Sequence, residues 1–189
     1  MSVNLDAEWK TFDDLKAYIQ ENPGKFTYGS PSVGSPPQIV MEYLRITEGL
    51  DTKHVPYDGG ALLSALLGGN IDAYTGTAAN YQAGTVNALV NFSNITTESL
   101  SEVPTLKDLG YDIAMDLVMG VVGPPGLEAD IQTILHDAFQ KTIEDESVIE
   151  KLENLNVAVT YGTADELQAD FQNTTDLYET VLSETSLGE

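Results

Sequence analysis

The chain has 189 residues, 42% of them hydrophobic, no cysteine, and 30 Asp and Glu against 8 Lys and Arg, for a net charge of −22. Such a length and apolar content support a folded core, and the lack of cysteine removes disulfide and thiolate chemistry. The acid excess excludes nucleic acid and anionic membrane surfaces, which need basic patches, and no apolar run is long enough to span a bilayer.

The acids are spread over helix faces and loops above ordinary apolar periodicity, so the chain reads as folded rather than disordered. An acidic surface poor in lysine fits adaptation to high salt, where screening removes self-repulsion. The opening MSVNLDAEWK lacks the charged-then-apolar pattern of a signal peptide, and residues 1–8 read as a loose start.

Trp9, Phe12, Leu15 and Ile19 are spaced as one helix face over residues 9–21, and Asn22-Pro23-Gly24 stops it. A β-prone run, Phe26–Tyr28, enters a loop of Gly, Ser and Pro that hands over to a helix over residues 37–48, ended by Gly49. Its apolar positions Ile39, Tyr43, Leu44 and Ile46 point mostly inward. A strand running through small residues into a helix N-terminus is an anion site in waiting, because unpaired N–H groups and the helix dipole both favour negative charge. Tyr28, Gly29, Ser30, Ser32, Val33, Gly34 and Ser35 are therefore candidate binding residues. The plain alternative is a strand-to-helix turn with a serine cap.

The pattern repeats twice. A strand over 53–57 meets Asp58-Gly59-Gly60 and a buried helix over 61–67. A strand over 71–74 meets Thr75-Gly76-Thr77 and a short helix over 78–82. Tyr57, Asp58, Gly59 and Gly60, then Thr75, Thr77 and Asn80, join the candidates, although an Asp at such a turn is more often a cap, and Thr75, Thr77 and Asn80 could equally cap the short helix. A further strand spans 86–92. Alternation of this kind implies βα units and a mostly parallel sheet, with the three polar turns gathered at the strands' carboxyl ends.

A polar loop over 93–105 leads to a short helix over 106–109. Leu117–Val122 reads as a strand buried on both faces. Helices follow over 129–144 and 147–154, a strand over 157–160, and a long helix over 164–182. His54, alternating with Val55, reads as a half-buried structural histidine, and His136 as solvated. Two distant histidines without cysteine do not make a zinc site. Ser30, His54 and Asp58 could be imagined as a triad, but no nucleophile elbow supports it.

The ordered set PGKFTYGSPSVGSPP, HVPYDGGALLSALLGGNIDAYTGT, EVPTLKDLGY and GVVGPPGLEADI resembles the extracytoplasmic solute receptors of tripartite tricarboxylate transporters (the TctC or Bug family). The resemblance runs from about Trp9 to Leu182. It implies an α/β, type II periplasmic-binding-protein fold, no catalysis, no cofactor, a small organic carboxylate as ligand, and delivery to membrane permease subunits. In the family, the loop matching Tyr28–Ser35 contacts the ligand carboxylate, and the segments matching Asp58–Ala61 and Tyr74–Asn80 line the same cleft.

Relatives begin with a further strand, glycine-rich loop and helices, which also carry ligand contacts and have no counterpart here. Where relatives often carry a Ser and an aromatic, Leu117–Met119 is aliphatic. The resemblance thus implies one complete lobe over 9–116 and the returning C-terminal half of the other over 117–189. It implies an extracytoplasmic location, or a cytoplasmic one if this start, without a signal peptide, is native. The apolar stripes of the helices over 129–144 and 164–182 would then lack the sheet they pack on. Leaving ~600 Å² uncovered forgoes roughly 15 kcal/mol, so a homo-oligomer or a rearranged C-terminal region is expected.

Overall fold

A computed structural model describes residues 1–185 and Leu187. Five strands, β1 (Ser2–Asn4), β2 (Thr27–Ser30), β3 (Lys53–Pro56), β4 (Ala73–Tyr74) and β5 (Val86–Ala88), form one sheet in the order β3-β2-β4-β1-β5. β2 pairs in parallel with both β3 and β4, whereas β1 runs antiparallel to β4 and β5. The sheet is therefore mixed, and the expected loose start is an inner strand. Val3 is fully buried there, and Met1 extends the pairing, its amino group donating to the Val90 carbonyl at 2.6 Å.

Helix α1 (Phe12–Glu21) starts at a capping box, in which the Thr11 hydroxyl accepts from the Asp14 amide and the Asp14 carboxylate accepts from the Thr11 amide. It turns Phe12, Leu15 and Ile19 onto the sheet. α2 (Pro36–Glu48) buries Ile39, Val40, Met41 and Leu44, with Tyr43 half-buried and Ile46 exposed. α2 ends at Gly49, whose φ of 69° is the left-handed cap glycine adopts without strain.

The pleat divides the core. Tyr28 and Ala73 point to the α1/α2 side, joining Phe12, Leu15, Val40 and Leu44. On the other side Tyr74 packs with Leu62 and Leu66 of α3 (Leu62–Leu67) and with Ile71. β2–α2–β3 moves one way along the sheet on one face. β3–α3–β4 returns across β2 on the other face. The direction of winding thus switches between β2 and β4, where open α/β sheets form a crevice at the strands' carboxyl ends.

The chain beyond residue 116 departs from expectation. Leu117–Val122 forms no strand, and its side chains face outward, Met119 at 82% and Val122 at 75% exposure. Residues 157–160 also form no strand, and 106–109 is a single turn braced by Thr105 and Asp108. A strand needs a neighbour for its N–H and C=O groups, and neither segment has one among the described residues. Helices α4 (Ala129–Ile143), α5 (Glu146–Glu153) and α6 (Ala164–Ser183) form as patterned. Between Leu117 and Thr185 only Val181 is buried among the described residues, where α6 meets α2. No described helix is long and apolar enough to cross a membrane.

Candidate functional site

The three polar turns converge because the three parallel strands end together. Ser30 lies level with Pro56, and Gly29 with Tyr74. The Tyr57 amide donates to the Ser30 carbonyl at 3.0 Å and the Thr75 amide to the Gly29 carbonyl at 2.8 Å. The loops over 31–35, 57–60 and 75–80 thus share one end of the sheet. Gly29 is where they can come no closer: a Cβ there would stand 2.7 Å from Ile71 Cδ1, 3.0 Å from Leu62 Cδ2 and 3.3 Å from Tyr57 Cδ2.

At the centre is a hydroxyl cluster. Ser30, fully buried, has its Oγ 2.8 Å from Ser35 Oγ, 2.7 Å from His54 Nε2 and 3.1 Å from the Ser32 carbonyl, to which it donates. Ser35, the residue before α2, makes no capping bond and turns to Ser30 instead. Ser30 and His54 meet because Tyr28 and His54 are level in the parallel pair. Residues 28, 30 and 54 then share one face of the pleat. Burial lowers the His54 pKa, against a smaller upward pull from Glu42.

The backbone does not offer the row of free helix amides that the loop sequence suggests. Pro36 and Pro37 occupy the first two helical positions and have no N–H. The Ser35 amide donates to the Ser32 carbonyl at 3.3 Å and the Gly34 amide to Gln38 Oε1 at 2.7 Å. The helix dipole remains, but the donors left on this loop are the exposed Ser32 and Val33 segment and the hydroxyls. Gln38, 2% exposed, holds the loop's shape and carries no signal in the sequence beyond its place on the first turn.

Tyr28 itself is a core residue. It is fully buried, and its hydroxyl has no partner among the described residues. Burial drives its pKa up. Asp58 makes no capping bond, so its exposed carboxylate is available to a ligand donor. Gly60 is exposed beside it, and Gly59 lies in the same 3-10 turn. Thr75 spends its hydroxyl on the Gly29 carbonyl at 3.1 Å. Thr77 and Asn80 cap each other, the Asn80 Oδ1 accepting from the Thr77 amide and hydroxyl.

Two residues outside these loops also reach them. The Tyr178 hydroxyl donates to the Gly34 carbonyl at 3.1 Å, and Asn156 Nδ2 to the Ala78 carbonyl at 2.6 Å. His136 hydrogen-bonds the Tyr161 hydroxyl at 2.8 Å. Two cavities of about 380 and 440 Å³ flank α1 rather than the three loops. No group of three or more His, Asp or Glu residues gathers to hold a metal among the described residues.

A family model described as a tripartite tricarboxylate transporter family receptor matches residues 1–187. A protein encoded in the gbd 5′ region of Cupriavidus necator is 35% identical over 146 residues, covering 75% of this chain and 45% of that protein. The crystal structure of a TctC solute-binding protein from Polaromonas superposes with a TM-score of 0.84 at 23% identity, over 97% of this chain and 65% of that one. The structure of R. palustris Rpa4515 with adipate superposes with a TM-score of 0.76 at 21% identity, over 95% and 64%. The chain therefore spans about half of the curated relative and about two thirds of the solved chains.

Proposed function

This chain belongs to the tripartite tricarboxylate transporter receptor family, and from that premise we propose that it is a non-catalytic binding protein for a small organic carboxylate. The observation that carries the reading is the meeting of three polar loops at one end of the sheet, at its switch point, with the buried Ser30–Ser35–His54 cluster beneath the first of them. The α2 dipole and neutral donors on Ser32, Val33 and Ser35 would receive the carboxylate. Charge-assisted hydrogen bonds of this kind are about twice as strong as neutral ones, so no arginine is required. Tyr57, Asp58, Gly59 and Gly60 would face it from the second loop, and Thr77 and Asn80 from the third. Tyr28, Gly29 and Thr75 would support these loops from beneath.

In this reading residues 1–116 serve as a ligand-binding lobe, with 117–189 as the part shared with an opposing lobe. The ligand would be passed to membrane permease subunits from an extracytoplasmic position. The adipate bound by Rpa4515 makes dicarboxylates the first probes. Isothermal titration with adipate, succinate, citrate and glutamate tests it. Saturable binding of any of them, weakened at least about tenfold by Ser35→Ala as befits loss of a bond to a charged group, is expected. A flat panel refutes the reading.

A second reading rests on the exposed apolar side chains of Leu117, Met119, Val122, Ile134 and Phe139. Monomeric proteins rarely leave such patches open. A second copy of this chain covering them would make the molecule a dimer, with or without ligand. Light scattering at micromolar concentration decides it, and a monodisperse monomer refutes it.

A further inference from the structure

The Ser30 hydroxyl has one proton and three neighbours, and counting protons fixes what His54 must do. The Ser32 carbonyl at 3.1 Å can only accept. If Ser30 donates to it, the contacts at 2.7 Å from His54 Nε2 and 2.8 Å from Ser35 Oγ both require a proton coming toward Ser30. His54 then carries its proton on Nε2, and Ser35 turns its own proton inward. To offer that proton to a ligand, Ser35 must accept one from Ser30. Ser30, having released Ser32, must in turn accept from His54.

With the proton on Nδ1 instead, Ser30 would have to donate to the ring. A Ser35 hydroxyl turned outward would then face Ser30 with oxygen lone pairs opposed at 2.8 Å. The outward-donating chain therefore needs Nε2–H, which imidazolium guarantees and neutral imidazole provides in only one of its two tautomers.

We propose that His54 is a positioning residue that directs the chain His54 Nε2–H, Ser30 O–H, Ser35 O–H toward a bound carboxylate, so that anion capture is linked to proton uptake by the ring. The proposal rests on the carboxylate reading of the loop. It concerns a residue placed beneath that loop and not a ligand contact.

The surroundings of His54 leave room for this linkage. Tyr28 of β2 lies with its ring centroid 5.1 Å from the imidazole. The Glu42 carboxylate of α2 pulls the ring's pKa upward and is already bridged to Arg45 at 2.6 Å. The loop over 31–35 brings no titratable side chain, and Tyr178 of α6 reaches that loop only through the Gly34 carbonyl. Burial holds the free ring's pKa below the ordinary histidine value, against a smaller upward pull from Glu42. A carboxylate arriving at Ser35 adds negative charge nearby, which favours the imidazolium over either neutral tautomer, so the ring's pKa rises on binding. A group whose pKa rises in the bound state strengthens binding as pH falls through that bound pKa.

Adipate affinity is to be measured from pH 8 to pH 6 for the wild type and for His54→Gln, whose amide donates at any pH. Wild-type affinity is expected to rise at least about threefold more than that of the variant, a comparison in which the ligand's own titration cancels. Equal slopes overturn the proposal while leaving the carboxylate reading intact. No binding by the wild type at any pH overturns both. Should His54→Gln fail to fold, the imidazole resonances of the wild type, which has two histidines, decide the matter. The pKa of His54 should rise on saturation with adipate, and an unmoved His54 overturns the proposal.

Discussion

Gly29→Ala tests the packing beneath the loops with one methyl group. β2 is an inner strand, paired on both sides, so its backbone cannot retreat from the added Cβ. The nearest atoms, Ile71 Cδ1 at 2.7 Å and Leu62 Cδ2 at 3.0 Å, end flexible side chains. Both side chains are nevertheless buried, at 2% and 0% exposure, and cannot swing into water. Overpacking of this kind costs about 1–3 kcal/mol. For a chain of this size each kcal/mol lowers the melting temperature by about 2–4 °C. The third contact, Tyr57 Cδ2 at 3.3 Å, lies at the start of the second loop, so ligand affinity should fall along with stability. A double-mutant cycle in thermal or urea unfolding isolates the clash. Ile71→Val removes the Cδ1 atom and alone costs about 0.5–1.5 kcal/mol. Combined with Gly29→Ala it should cost less than the sum of the two, by at least about 0.5 kcal/mol. Additive effects, or an unperturbed Gly29→Ala protein, would show that the methyl group meets no obstacle.

Tyr28→Phe removes a buried hydroxyl that has no partner among the described residues, so the variant should be as stable as the parent or up to about 1 kcal/mol more so. A loss beyond that in urea unfolding would reveal a partner for the hydroxyl. With a net charge of −22, the melting temperature should climb steadily from dilute buffer to 2 M NaCl, where the Debye length falls below about 3 Å; a flat profile refutes an acid-driven salt requirement. Asn156 holds a φ of 58° and bonds both the Ala78 carbonyl and the Ser99 hydroxyl. Asn156→Gly keeps the backbone but loses those bonds, about 1–2 kcal/mol together, and should speed amide exchange over residues 77–81. Exchange unchanged there would mean that the contact does not hold the third loop.

The candidate site was legible in outline because strand–turn–helix punctuation repeats three times, and parallel pairing then forces the turns to one edge. What escaped was the interior of the first loop. Two adjacent prolines suit the first turn of a helix, yet they delete the amides that an N-terminal anion site would use. The serines of the loop are candidate ligand contacts, but Ser30 and Ser35 bond first to each other, and Ser30 to His54. That pairing depends on the register of β2 against β3, which no local pattern encodes. β1 was missed for a related reason: three residues are too short for periodicity, and only the flanking β4 and β5 make them a strand.

Both overread strands, residues 117–122 and 157–160, share a single cause with the elements that formed as patterned. A helix closes its hydrogen bonds within its own segment, so α4 and α6 appear where the 3.6-residue spacing puts them even with Ile134 and Phe139 left facing outward. A strand closes its bonds only against another strand. An apolar run such as Leu117–Val122 records the burial that a paired strand would enjoy, while its partner must come from elsewhere. Unpaired, the run lies on the surface, and the apolar side chains of α4 lie open with it. The same physics that makes helical pattern trustworthy here makes that run a measure of what the segment would bury, not of what it pairs with.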